Sequence, residues 1–115
     1  MTAYALAHLR TGSSHPDVFV YMERIQATME PFGGRFLIHG TATEVVEGSW
    51  PGHVVMLAFP SGAEARAWYA SPAYQEILPL RTDHIPGDLV FVDGVGPDYD
   101  AAATAAKLRA RAAQD

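Results

Sequence analysis

The chain has 115 residues, enough for one hydrophobic core and too few for two domains of ordinary size. Its net charge of −5 lacks the basic footprint of a general nucleic-acid binder. The absence of cysteine excludes disulfides, thiolate catalysis and cysteine-ligated zinc.

No segment approaches the roughly 18 consecutive apolar residues of a membrane span. Met1 to Arg10 lacks the basic start of a secretory signal, and His8 interrupts its apolar stretch. A cytoplasmic protein without membrane partners is therefore expected. Only 18% of residues are charged, which suits a surface partly covered by another chain.

Thr2 to Arg10 alternates as a strand, with Tyr4, Leu6 and His8 on one face and Ala3, Ala5, Ala7 and Leu9 on the other. The alanine face would admit a helix at close range. Thr11-Gly12-Ser13 is a turn. Ser14 is the expected cap of the first helix, with Pro16 in its first turn. Phe19, Met22, Ile25, Gln26 and Met29 recur at helical spacing and predict its packed stripe. Pro31 and Gly33-Gly34 end it.

Arg35 to His39 is the second strand. Strict alternation would put Phe36 and Ile38 on one face, and Arg35, Leu37 and His39 on the face away from the helices. Thr43 to Glu47 is extended, and Gly48 to Gly52 is a turn. Val54 to Phe59 is a continuous apolar run, as for a central strand buried on both sides. Ser61 and Glu64 form a capping box at the head of a helix that runs to Ala70. Ser71-Pro72 begins a short helical turn through Gln75 and Leu78, which Pro79 closes. Leu89 to Val92 is the fourth strand. The alanine-rich segment after Pro97 and Asp98, to Ala113, has helical propensity but a thin apolar face.

Strand, helix, strand, strand, helix, strand is the split βαβ order of a ferredoxin-like α+β domain. It predicts a four-stranded antiparallel sheet with helices on one face, residues 1–96 as the domain and 97–115 as a helical extension. The other sheet face, with Tyr4, Leu6 and Leu37, is left bare. A second copy meeting it sheet to sheet is the simplest cover.

The stretches Pro31 to Gly40, Val46 to Gly52, Phe59 to Ala65, Trp68 to Gln75 and Leu78 to Arg81 occur in an order that resembles a bacterial family of about a hundred residues, the DUF1330 type, in the dimeric α/β-barrel superfamily. The resemblance spans Tyr4 to Val95. It implies a homodimer whose sheets enclose a barrel cavity. Superfamily relatives include cofactor-free monooxygenases, muconolactone-isomerase-like proteins, haem proteins and polyketide cyclases. His39 stands where relatives carry arginine.

His39 is the first catalytic candidate, because an imidazole in a half-dry cleft can move a proton near neutral pH. Tyr21 is the second, as a hydroxyl donor. Arg35 and Arg81 are candidate anion binders, with Glu47 or Asp83 as alternative structural partners. His8, Trp50, Tyr69 and Tyr74 are candidate cavity-lining groups. His15, His53 and His84 read as cap or loop residues. No metal-ligand spacing, nucleophile elbow or phosphate loop is present, so neither metal nor cofactor is expected. These residues suit a cofactor-free isomerase, cyclase or monooxygenase acting on a small organic molecule. A non-catalytic ligand binder and a structural or regulatory dimer are the alternatives.

Overall fold

The computed structural model describes Met1–Gln114. The elements are β1 (Ala3–Leu9), α1 (Pro16–Met29), a 3-10 turn (Glu30–Phe32), β2 (Arg35–His39), β3 (His53–Phe59), α2 (Gly62–Ala70), α3 (Pro72–Thr82), β4 (Gly87–Asp93) and α4 (Ala101–Gln114). The strands form one four-stranded sheet in the order β2-β3-β1-β4, with all neighbours antiparallel. This is the ferredoxin-like arrangement expected from the sequence, with α4 added.

The expected barrel is not formed. The sheet is open, with β2 and β4 as edges that do not pair with each other. Four strands are too few to close around a filled interior, which takes about eight.

Helices cover one face of the sheet, here called the inner face. Ala5 of β1 lies opposite Leu57 of β3 and Phe91 of β4, and Ala7 lies opposite Val55 and Leu89. Together with Phe59 they meet Tyr21, Ile25 and Met29 of α1, Ala65 and Trp68 of α2, and Tyr74 and Ile77 of α3. The β1 alanines leave room for these larger groups. The buried Trp68 indole N–H donates to Thr28 Oγ1 at 3.0 Å, and the Thr28 hydroxyl donates to the Ile25 carbonyl at 2.6 Å. The largest polar group in the core is thus satisfied without water.

The stripe expected on α1 is rotated. Val18, Tyr21, Ile25, Thr28 and Met29 are buried, whereas Phe19, Met22 and Gln26 are exposed. The helix starts one residue later than expected, with His15 rather than Ser14 as its cap: His15 Nδ1 accepts the Asp17 N–H at 3.1 Å. Gly33 closes the following turn in the left-handed region (φ 71°), where a side chain would be strained.

Residues 43–47 form no strand. Pro79 does not end α3 but lies inside it, and Asp83 caps it. α4 buries none of its residues. No helix among the described residues is long and apolar enough to cross a membrane.

One irregularity decides where the candidate residues go. Arg35 pairs with Ala58 and Phe36 with Leu57, but Ile38 then pairs with Met56 and His39 with Val55. Leu37 is therefore the extra residue of a β-bulge, which reverses the facing of everything after it. Arg35 and Ile38 share the outer face with Ala58 and Met56. Phe36 and His39 share the inner face with Leu57 and Val55. The strict alternation read from the sequence is wrong after Leu37, for Ile38 and His39.

Candidate functional site

A cavity of about 260 Å³ opens between the inner sheet face and the helices. Its wall is largely apolar: Ala5, Ala7, Val55, Leu57 and Leu89 from the sheet, with Val18 and Ile25 from α1. Its volume lies just under the range of about 300–1,000 Å³ usual for ligand pockets, so it suits a small occupant.

The polar groups in that wall converge from separate elements. Tyr21 of α1 and Tyr74 of α3 are both buried, with their hydroxyl oxygens 2.8 Å apart. Arg81 lies about two turns further along α3, so it emerges on the same side as Tyr74. Its guanidinium carbon is 5.7 Å from the centroid of the Tyr21 ring. Among the described residues no carboxylate pairs with Arg81, and both Asp83 and Glu47, the partners considered for the arginines, lack an ion pair.

Burial, reinforced by Tyr74, pushes the Tyr21 hydroxyl far above the usual tyrosine range, with Arg81 pulling weakly the other way. Burial disfavours the Arg81 charge, but the attraction of Tyr21 and Tyr74 more than offsets this, so the guanidinium holds its proton more tightly than usual. Tyr21 is therefore neutral and Arg81 cationic at neutral pH. A hydrogen bond between two neutral hydroxyls uses one of their two protons, leaving the other free to donate. With Arg81, which has no acceptor atom, the wall presents donors.

His39 and His53, both exposed, stand at the rim, with Thr11 and Ser13 of the β1–α1 loop. His39 stacks on Phe36, with ring centroids 4.5 Å apart. The bulge at Leu37 brings it here, contrary to its expected place beside Arg35 on the outer face.

The cavity thus gathers His39, Tyr21, Tyr74 and Arg81. It does not gather the other sequence candidates. Arg35 is exposed on the outer face. His8 lies on that face too, where Nε2 is 2.6 Å from the Pro51 carbonyl oxygen and the ring stacks on Trp50 at 4.0 Å. This pair fastens the β2–β3 loop to the sheet. Tyr69 packs against Trp68, Tyr74 and Phe91 and supports the cavity wall from behind. His8 and His39 were expected to line one cavity, but they face opposite sides of the sheet.

His53 was read as a turn residue. It shares the inner face with Val55 and Leu57, and alternation along β3 carries that signal. A second group was also missed: His15, Asp17 and His84, whose potential ligand atoms all lie within 4.8 Å of one another. His84 lies nearly seventy residues beyond the other two, and only the packing of α1 on α3 joins them.

Residues 2–95 match the family described as "Domain of unknown function (DUF1330)". No protein of curated function matches the chain. Among solved structures, a protein of unknown function from Rhodopseudomonas palustris is similar at TM-score 0.65 and 18% identity, over 84% of each chain. SnoaB, a cofactor-independent oxygenase from Streptomyces nogalater, is similar at TM-score 0.54 and 11% identity, over 86% of this chain and 96% of its own. A dimeric ferredoxin-like protein of unknown function from a Jannaschia species is similar at TM-score 0.57 and 12% identity, over 82% of this chain and all of its own. At these identities the likeness is one of fold.

Proposed function

We propose that this chain, which belongs to the DUF1330 family, binds a small organic molecule bearing a carboxylate or similar oxyanion in the cavity between sheet and helices. The observation that carries this is the donor set in an otherwise apolar wall: the Arg81 guanidinium without a carboxylate partner among the described residues, beside the Tyr21–Tyr74 hydroxyl pair. A half-buried cation in an apolar wall gains from a counter-charge, and a bound anion supplies it together with an acceptor for the free hydroxyl proton. The apolar part of the ligand then rests on Ala5, Ala7, Val55 and Leu57.

A catalytic reading follows from His39, because the bulge turns its ring to the same cavity. There the imidazole can move a proton on a molecule held by Arg81 and the tyrosines. That chemistry suits a cofactor-free isomerase, cyclase or monooxygenase, and the fold is shared with a cofactor-independent oxygenase. The outer sheet face, with Leu37, Val90, Val92 and Trp50 each between 38% and 48% exposed, is the proposed contact with a second copy. The fold likeness to a dimeric protein supports this.

The test is a thermal-shift and calorimetric screen of aromatic and branched aliphatic carboxylates against the wild type and Arg81→Met. The expected result is saturable binding of at least one acid by the wild type, weakened at least tenfold in the variant. Equal affinity in both proteins refutes the proposal. His39→Gln is expected to leave that affinity within about threefold while abolishing any turnover.

A further inference from the structure

We propose a second site, independent of the cavity reading: His15, Asp17 and His84 bind one divalent transition-metal ion, of the zinc, nickel or iron(II) class that takes imidazole and carboxylate donors.

The placement follows from two helices. His15 caps α1 and Asp17 lies in its first turn, with Pro16 between them, so a His-x-Asp spacing puts two donors at one helix start. His84 follows the end of α3, and α3 packs on α1. Asp17 Oδ2 is 3.0 Å from His84 Nε2 and 3.7 Å from His15 Nδ1. Metal bonds of about 2.0–2.2 Å place neighbouring donors roughly 3–3.5 Å apart. The 3.0 Å spacing is already that of ligands around one ion; the 3.7 Å spacing is wider, and with all three donors within 4.8 Å of one another a rotation of one ring brings them onto one ion.

A purely structural role accounts for each contact singly. His15 Nδ1 accepts the Asp17 N–H, and the Asp17 carboxylate accepts from His84. On binding, one ring turns out of the present stack, whose centroids lie 3.7 Å apart, because an ion lies in the plane of each ring that holds it; two imidazoles and one carboxylate then face one point. That is the two-histidine, one-carboxylate donor set, which leaves other coordination positions to water. The side chains of His15, Asp17 and His84 are 46%, 44% and 22% accessible, so an ion and its waters can enter. The positive end of α1 opposes a cation, and the Asp17 charge offsets it. In the bound form the ion takes the place of the Asp17 N–H on His15 Nδ1 and ties the start of α1 to the end of α3.

The test uses the full chain, free of any histidine tag and dialysed against chelator. It is titrated with Co²⁺ by absorption and with Zn²⁺ by calorimetry. The expected result is one equivalent of ion and a raised thermal midpoint. His15→Asn keeps a capping oxygen while removing the imidazole, and Asp17→Asn and His84→Gln remove the other two donors. Each is expected to weaken binding at least tenfold with the metal-free fold intact by circular dichroism, whereas His8→Ala binds as the wild type does. Absence of saturable binding up to millimolar ion overturns the proposal. So does unchanged affinity in His15→Asn and His84→Gln.

Discussion

Replacing Tyr21 by phenylalanine tests the electrostatics of the cavity without any ligand. Near pH 8 the variant leaves the buried Tyr74 hydroxyl without its 2.8 Å partner, which costs about 1–3 kcal/mol. The alkaline range behaves in the opposite sense. In the unfolded chain Tyr21 releases its proton near pH 10, its ordinary value. In the folded chain, burial and then Tyr74 hold the proton on to much higher pH. A group whose folded-state pKa is raised contributes stability below the unfolded pKa and loses it above. The wild type therefore gives up this residue's contribution progressively above pH 10, on the order of 1 kcal/mol for each further pH unit. Phenylalanine has no such dependence. Urea unfolding of both proteins, followed by Trp68 fluorescence from pH 8 to 11.5, measures the difference. The wild-type advantage is expected to hold to about pH 10 and then shrink toward zero. Parallel pH profiles would refute the claim that Tyr21 is a buried, protonated member of the pair.

Other outcomes follow from particular contacts. Thr28→Val removes the acceptor of the buried Trp68 N–H and is expected to cost about 1–3 kcal/mol in urea unfolding. Deleting Leu37 removes the extra residue of the bulge while leaving Phe36 opposite Leu57 and His39 opposite Val55. The deletion is expected to change stability by less than about 1 kcal/mol and to keep cross-strand nuclear Overhauser contacts between His39 and Val55; loss of those contacts would contradict the assigned register. Val92→Glu places a charge on the outer face and is expected to shift a dimer toward monomer in light scattering, with the cavity ligand still bound.

Most of the backbone arrangement was legible in the sequence because it depends on local punctuation. Gly33-Gly34, Pro60 with Ser61, and Pro86-Gly87 each mark a boundary that the chain observes. The apolar run of β3 marked the strand that pairs on both sides. Sheet closure was not legible: it was inferred from the superfamily, whereas edge pairing is a property of the whole sheet. Pro79 was misread because a proline can sit within a helix when tertiary packing outweighs the lost hydrogen bond.

The site was only half legible. Tyr21, Tyr74 and Arg81 stood out by residue type rather than by spacing: the stripe read on α1 left Tyr21 out, and the helix read after Ser71 stopped at Pro79, short of Arg81. His39 lies past the bulge, where a single unpaired residue reverses every later side chain and no composition signal marks it. That reversal separates His39 from Arg35 and joins it to Arg81. The cavity that His39 lines lies beneath the helices, not between two facing sheets as the barrel resemblance implied.

The most direct test of that relocation is a methyl-resolved nuclear magnetic resonance titration with a carboxylate that binds. Ala5, Ala7, Val55 and Leu57 face the cavity, whereas Leu6, Met56, Val90 and Val92 lie on the outer face or pair there. Binding in the cavity predicts saturable shifts in the first group and none in the second, with the inner shifts lost in Arg81→Met. Saturable shifts confined to the outer-face methyls would contradict it.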